Sequence, residues 1–295
     1  MRGRSEIARR RLIARLDLLV VFTIVLAGVP ALGFSQWFNY PTDSVPRKAD
    51  GKPDLSAPAP RLPDGKPDLS GIWHPGKGGR GECGPEGSVF IDCRSEIGAS
   101  RLISNLGLEL PGGTLPYQPW AAELVKQRTA DESRDDPHVR CLPDNPPRAW
   151  TLPHLTKIVQ TPKFLALLYE VNAMYRQIFI DGRPQPQDPN PTWNGYSTGH
   201  WEGDTLVVHT EGFRDDLWID VNGSPMSGAA KMTERMRRPN YGILEIALTI
   251  DDPKTYTSPF TVNLGLTLEV DTELVDEFCL EGEKSYERML RSRGK

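Results

Sequence analysis

The chain has 295 residues, 38% of them hydrophobic and 25% charged, a composition typical of a globular protein with one large domain or two small ones. The formal net charge is -4 at pH 7. This balance argues against nucleic acid as a partner, because a protein that binds phosphates needs a basic surface.

Residues 1–33 predict a secretory signal peptide. An arginine-rich stretch is followed by an uncharged apolar run, Leu18–Gly33, which ends in a small-x-small cleavage pattern, Ala31-Leu32-Gly33. The run is shorter than the roughly 20 residues that a membrane span needs. We therefore expect export to the periplasm or the extracellular space. The alternative is an uncleaved anchor, and the membrane becomes a partner only in that case.

Residues 34–68 predict a Pro-rich linker, since they contain few large apolar residues. The heptapeptide DGKPDLS occurs twice, at Asp50–Ser56 and Asp64–Ser70, which is too few copies for a repeat fold. The second copy continues into Gly71-Ile72-Trp73. A G-x-W on an opening strand is typical of lipocalin and avidin-type barrels, in which the Trp closes one end.

Residues 69–150 predict a loop-rich N-terminal extension that packs on the barrel. Its one short helix is expected from Pro119 to Arg128, because Pro suits a first turn and Trp120 and Leu124 recur at helical spacing.

Four cysteines in an exported chain predict two disulfides, and three pairings are open. One of them closes the short loop between Cys83 and Cys93 and joins Cys141 to Cys279. No C-x-x-C occurs and no His stands at finger spacing, so no zinc–thiolate site is expected. The P-loop pattern is also absent, and the sequence predicts no cofactor and no metal.

Residues 151–295 predict an antiparallel β domain, because the apolar period changes to two and tight turns separate the segments. The predicted strands are Thr156–Gln160, Lys163–Glu170, Met174–Ile180, Tyr196–Trp201, Thr205–Thr210, Met232–Arg237, Ile243–Ile250, Phe260–Val270 and Leu274–Leu280. We expect an all-β fold of about 8–9 strands, either an up-and-down, calycin-like barrel or a strongly curved sandwich.

The alternation also predicts the inner faces. Even-numbered apolar residues of the segments at 244–250 and 260–270 face inward, and so do Leu274, Phe278 and Leu280. Arg176 lies on the inner face of its strand. In the segment Thr233–Arg237, either Glu234 faces inward or both Arg235 and Arg237 do, depending on turn length. A buried charge must be paired or hydrated. The alternatives are an ion pair of Arg176 with Glu234 or Glu170, or a polar cavity that holds a ligand.

The segment Tyr196–Phe213, YSTGHWEGDTLVVHTEGF, predicts a β-hairpin. With Glu202-Gly203-Asp204 as a three-residue turn, His200 pairs with Leu206 and Ser197 pairs with His209. The two histidines then point to opposite faces and cannot share a metal ion.

The long Pro-rich loop after Ile180 is typical of a functional loop or a rigid cover. The residues expected to bind a ligand are Arg176, Arg183, Trp193, His200, Glu234 and Arg235. The favoured function is therefore a barrel that binds a small, partly apolar or anionic molecule.

Two alternatives remain, and neither identifies catalytic residues. One is a hydrolase, hydratase or isomerase in the barrel mouth, with Arg176 or Arg235 stabilising an anion. Its acid–base residues would be drawn from Glu170, Glu234, His200 and Asp204. The other is a membrane-tethered structural or accessory subunit of a periplasmic complex.

Several motifs together are specific: GKPDLSGIW, DDPHVRCLP, DGRPQPQDPNPTWNGYSTGHWEGDTLVV, TERMRR and TIDDPKTYTSPF. Through them the chain resembles a large family of secreted bacterial proteins without an established function, over most of its mature length. The resemblance implies export and offers no catalytic residues to carry over. Similar proteins tend to have His at the position of Met226 and Asn at the position of Gly282, so this chain departs from the pattern at both positions.

Overall fold

The computed structural model describes residues 41–76 and 102–282. The predicted signal peptide and the predicted Cys83–Cys93 disulfide lie outside these ranges. The strands are β1 Gly71–Pro75, β2 Thr156–Thr161, β3 Phe164–Tyr169, β4 Tyr175–Phe179, β5 Tyr196–Glu202, β6 Thr205–Glu211, β7 Leu217–Trp218, β8 Pro225–Met226, β9 Lys231–Asn240, β10 Ile243–Asp251 and β11 Phe260–Glu269. The helices are α1 Pro119–Ala130, α2 Pro146–Ala149 and α3 Cys279–Gly282, and short 3-10 turns lie at Leu106–Glu109, Pro111–Gly113 and His138–Arg140.

Nine strands form a closed barrel in the order β1-β11-β10-β9-β6-β5-β4-β3-β2, and β1 also pairs with β2. The predicted all-β barrel is therefore confirmed. β7 and β8 form a separate two-stranded sheet within the chain segment that connects β6 to β9, and the period-two pattern did not predict this sheet.

One neighbouring pair departs from the predicted antiparallel order. β4 and β5 run parallel, joined through only two register pairs, Ile178–Ser197 and Phe179–Thr198. Strand directions can alternate all the way around a closed ring only when the number of strands is even. A nine-stranded barrel must therefore contain a parallel neighbour pair, and the long loop after β4 makes the crossover that such a pair requires.

The core consists of the side chains that alternation sends inward. The predicted inner faces of β10 and β11 are confirmed, since Leu244 to Ile250 and Phe260 to Leu268 are buried at every even-numbered position. Trp73 is fully buried, its Nε1 donates to the Leu69 carbonyl at 3.0 Å, and the Arg238 guanidinium lies 4.9 Å from its ring centre.

The prediction of a last strand at Leu274–Leu280 was wrong. Phe278 and Leu280 are 45% and 82% exposed, and Cys279 begins α3. The reason is that β1 already occupies the free edge of β11 and also pairs with β2, so no barrel edge remains for another strand. Residues 271–278 run outside the barrel instead.

The segment predicted as a linker contains two arches, residues 46–54 and residues 60–68, which have the same backbone hydrogen bonds and each include most of one DGKPDLS copy. The glycine has a positive φ in both, 81° at Gly51 and 82° at Gly65, which favours glycine in these turns. Each preceding arginine donates to its glycine carbonyl, Arg47 at 3.2 Å and Arg61 at 2.8 Å. The arginines also bind carboxylates of the β domain: Arg47 binds Asp271 at 2.7 Å and Arg61 binds Asp204 at 2.6 Å.

Helix α1 agrees with the predicted short helix and continues to Ala130. It holds Trp120 at the surface, 52% exposed, with Nε1 donating to the Lys254 carbonyl. Within residues 41–76 and 102–282, no helix is long and apolar enough to cross a membrane.

Candidate functional site

A buried ion pair lies inside the barrel. Arg176 on β4 donates from Nη1 to Glu234 Oε1 on β9 at 3.0 Å, and the two side chains are 1% and 0% exposed. Trp150 Nε1 donates to the same carboxylate at 2.6 Å, and Thr210 Oγ1 accepts from Arg176 Nη2 at 2.9 Å. Of the two alternatives for these inward charges, the structure therefore shows the ion pair, with Glu234 as the partner.

The side chains next to this ion pair are uncharged. Tyr169 is buried beside it, and desolvation raises the pKa of its hydroxyl above the ordinary value, so the phenol is neutral at physiological pH. Ser197 accepts from Arg176 Nε at 3.2 Å. Because Glu234 balances Arg176, this region has no charge left over for a ligand.

A surface cleft opens where β4 and β5 diverge, and we call it the seam cleft. Its volume is about 490 Å³. The principal side chains of its lining are Met174, Tyr175, Phe179, Trp193, Asn194 and Tyr196, together with Arg176 and Ser197. The cleft exists because the parallel ladder has only two register pairs; beyond them, Asn194 Nδ2 reaches the Tyr175 carbonyl at 2.9 Å.

The aromatic walls of the seam cleft are fixed by neighbouring side chains. The Arg214 guanidinium lies 4.4 Å from the ring centre of Trp193, and Phe179 stacks on Tyr196 with ring centres 5.4 Å apart. Arg183 lies 3.9 Å from the ring centre of Phe179. Tyr175 is 63% exposed and leaves an aromatic surface open to solvent.

The charge of Arg183 is compensated locally. Its guanidinium binds Asp181 at 2.7 Å, and this hydrogen-bonded contact lowers the pKa of Asp181 to about 2.

The structure gathers four of the six predicted ligand-binding residues. Arg176 and Trp193 line the seam cleft, Glu234 holds Arg176, and Arg183 contacts the cleft through Phe179. His200 and Arg235 lie elsewhere: both bind Glu202 on the outer wall, at 3.3 and 2.9 Å. Tyr175, Tyr196 and Asn194 of the lining were not among the predicted residues. Their only signal was a position next to the long loop.

The histidine hairpin has a different register from the predicted one. Glu202 pairs with Thr205, so His200 pairs with Val207 and Thr198 with His209. A two-residue turn replaces the predicted three-residue turn, and a shift of one residue moves His209 to the face of His200. The prediction of opposite faces was wrong, since the two imidazoles stack on the outer wall with centres 5.8 Å apart.

The four predicted acid–base residues do not meet in the seam cleft, since none of them belongs to its lining. Each has a local partner: Glu170 accepts from the Leu155 amide, Glu234 binds Arg176, His200 contacts Glu202, and Asp204 binds Arg61. The alternative of an enzyme acting in the barrel mouth therefore finds no acid–base pair among these four residues.

The C-terminal strap, residues 271–278, fastens the rim of the seam cleft. The Asn172 amide donates to the Glu277 carbonyl at 2.6 Å, and the Glu277 amide donates to the Glu170 carbonyl at 3.0 Å. Cys279 directly follows the strap and forms a disulfide with Cys141, one of the pairings that the sequence left open. Ala173 and Pro143, close in sequence to these anchors, both belong to the cleft lining.

The charge of His154 is coupled to the strap. Its Nδ1 lies 3.1 Å from Glu277 Oε2 and 3.8 Å from Glu170 Oε2. The nearby Glu170 carboxylate contributes most to raising the pKa of His154; burial opposes the shift, while the charges of Glu277 and Asp144 add to it. The folded state therefore favours the imidazolium, and its contribution to stability is fully present below the unfolded pKa of about 6.5 and is lost as the pH rises through the folded pKa.

We expect His154→Gln to remove this pH-dependent component. Urea unfolding of the native chain and the variant should differ most at acidic pH and converge above the folded pKa of His154. His200→Gln on the exposed outer wall is the matched control. Its free energy of unfolding should keep the same pH dependence as that of the native chain. A constant offset between His154→Gln and the native chain at every pH would contradict the coupling.

Within the part of the chain that the structure describes, no group of three or more His, Cys, Asp or Glu side chains is placed to hold a metal ion. No family model matches the chain, and no curated protein matches it with significance. The function is therefore inferred from the geometry and chemistry of the clefts.

Proposed function

We propose that this protein binds a small, neutral, partly apolar molecule in the seam cleft. The observation that carries the proposal is an opening in the barrel wall that exposes aromatic rings beside side-chain amides. A volume of about 490 Å³ lies within the range of roughly 300–1,000 Å³ common for small-molecule sites. Apolar walls with a few polar groups are also typical of such sites.

The barrel interior is a poorer candidate than its wall. The inward positions are filled by buried apolar side chains and by the Arg176–Glu234 pair. A ligand inside the barrel would have to displace packed side chains or separate that ion pair, and separating a buried pair costs several kcal/mol.

The charge balance favours a neutral ligand over an anionic one. Among the described residues, Arg176 is the one charged side chain in the lining, and Glu234 neutralises it. Asn194 and Gln177 instead provide amide groups, which both donate and accept hydrogen bonds. A planar or ring-shaped molecule with a few hydroxyl or carbonyl groups would match Tyr175 and Trp193 by stacking and the amides by hydrogen bonding.

A ligand screen by thermal shift, followed by calorimetric titration of the hits, tests the proposal. We expect Trp193→Ala to weaken binding of a cleft ligand by about tenfold or more, since loss of an aromatic contact costs about 1–2 kcal/mol. Trp120→Ala removes an exposed tryptophan on α1, outside the seam cleft, and is the matched control. Ligands that bind both variants equally would contradict the proposal.

Export belongs to the same proposal. The disulfide between Cys141 and Cys279 supports it, because structural disulfides persist mainly in oxidising compartments. Amino-terminal sequencing of the native protein tests cleavage of the leader; a retained arginine-rich segment would favour the membrane-tethered alternative.

A further inference from the structure

A second cleft lies at the barrel end that contains Trp73, and we call it the arch cleft. Its volume is about 450 Å³. The side chains important here are Asp43, Asp68, Arg238, Glu269 and Thr272. The lining combines residues that precede the first arch, residues of the second arch, the β9–β10 turn and the start of the C-terminal strap.

The arch cleft contains a buried cation without a matching carboxylate. Arg238 is 5% exposed and donates to the main-chain carbonyls of Asp68, Ser70 and Tyr241. Among the described residues, no carboxylate lies within salt-bridge distance of its guanidinium, although Asp68 is close enough to favour the charged form. Burial lowers the pKa of Arg238 to about 10, the direction expected for a cation that has lost water without gaining an anion.

Two polar groups of this lining retain unused hydrogen-bonding capacity. The Thr272 hydroxyl is buried and has no hydrogen-bond partner in the described part of the chain. The Arg238 Nη2 group has two N–H donors, and its bond to the Tyr241 carbonyl uses one. A buried donor that stays unsatisfied destabilises the fold, so an acceptor at this position would stabilise the site.

The rim has the opposite charge. Asp43 and Glu269 line the cleft, are exposed, and form no salt bridge with any described residue. Lys157, a second cation of the lining, is bound by Glu273 at 2.7 Å and is compensated. The arch cleft is therefore dipolar, with a cation in its buried part and carboxylates at its mouth.

We propose that the arch cleft binds a small zwitterion of the amino-acid type, with its carboxylate at Arg238 and Thr272 and its ammonium group at Asp43 and Glu269. The carboxylate supplies the acceptor that the buried groups lack, and the ammonium group complements the acidic rim. This site is separate from the seam cleft and does not depend on the function proposed for that cleft.

Three probes of equal chain length separate the contribution of the carboxylate from that of the ammonium group: 4-aminobutyrate, butyrate and butylamine. Calorimetric titration of the full chain at low ionic strength is expected to give saturable binding of 4-aminobutyrate, at least about tenfold tighter than binding of either single-charge probe. Butylamine binding as tight as that of 4-aminobutyrate, or no saturable binding of any probe, would overturn the proposal.

Two variants locate the binding. Arg238→Met should abolish binding, but it also removes contacts that hold the second arch and can prevent folding. Thr272→Val preserves the side-chain shape and removes only an unsatisfied hydroxyl, so it should leave the fold intact and weaken 4-aminobutyrate binding about tenfold. Thr267→Val on the outer wall of β11 is the matched control. Equal affinity of the two valine variants would overturn the assignment to this cleft.

Discussion

Replacement of Glu234 by glutamine is expected to lower the free energy of unfolding by about 3–5 kcal/mol, because it leaves Arg176 as a buried cation without its carboxylate. The two side chains are 0% and 1% exposed, so water cannot replace the lost charge without opening the barrel. Trp150 would also lose its charged acceptor. Urea unfolding followed by circular dichroism measures the change, with the slope m checked to remain constant.

Two controls separate loss of charge balance from loss of a contact. Glu202→Gln removes an exposed partner of Arg235 and should lower the free energy of unfolding far less than Glu234→Gln does, as is usual for surface pairs. The double variant Arg176→Met/Glu234→Leu should recover most of the lost stability, since apolar replacement of a buried pair is often neutral. If Glu234→Gln lowers the free energy of unfolding no more than Glu202→Gln does, Glu234 does not balance the buried charge of Arg176 as the structure indicates.

The inner faces of the barrel could be predicted because burial acts on every second residue. From Leu244 along β10, and along all of β11, a polar or small residue follows each large apolar one, and the structure buries the predicted side. The same reasoning failed at Leu274–Leu280, where alternation is present but the barrel has no edge left. Local pattern predicts a strand, whereas only the closed topology decides whether a partner strand is available.

Turn length marks the limit of prediction for individual side chains. A two-residue turn at Asn172-Ala173 would pair Tyr169 with Arg176 and Leu167 with Ile178. In the β3–β4 hairpin the pairing is shifted by two residues from that register, to Leu167–Arg176 and Leu165–Ile178, and Arg176 still faces inward. In the β5–β6 hairpin the shift is one residue, and His209 changes its face relative to His200. An even shift preserves the face and an odd shift inverts it.

The two clefts lay beyond sequence-based prediction for a topological reason. The seam cleft depends on a parallel pair that arises because the barrel closes with nine strands, and a residue pattern does not reveal that number. The arch cleft is lined in part by residues of the segment that was predicted to be a linker because it contains few large apolar residues. Arg47 and Arg61 instead bind carboxylates of the β domain, which places the arches against it.

Removal of the disulfide with Cys141→Ser/Cys279→Ser is expected to lower the free energy of unfolding by about 2–5 kcal/mol, toward the upper end because the crosslink spans a long loop. The two cysteines are separated by 138 residues, so the crosslink restricts much of the unfolded chain. Urea unfolding without reductant gives the difference. Cys83→Ser/Cys93→Ser is the matched control, since its predicted loop is short and its loss should cost less.

The same substitution should act on the seam cleft. Without the disulfide, the end of the strap at Glu277 is held by its backbone bonds to Glu170 and Asn172 and by the contact of Glu277 with His154. The β3–β4 turn carries Ala173 and Met174 of the cleft lining, so a looser strap should increase hydrogen exchange at that turn and weaken binding of a seam-cleft ligand. The arch cleft lies at the opposite end of the barrel, and its affinity for 4-aminobutyrate should change less. If destabilisation occurs without faster exchange at the turn, the disulfide acts on the unfolded chain alone, and the rim is held by its hydrogen bonds.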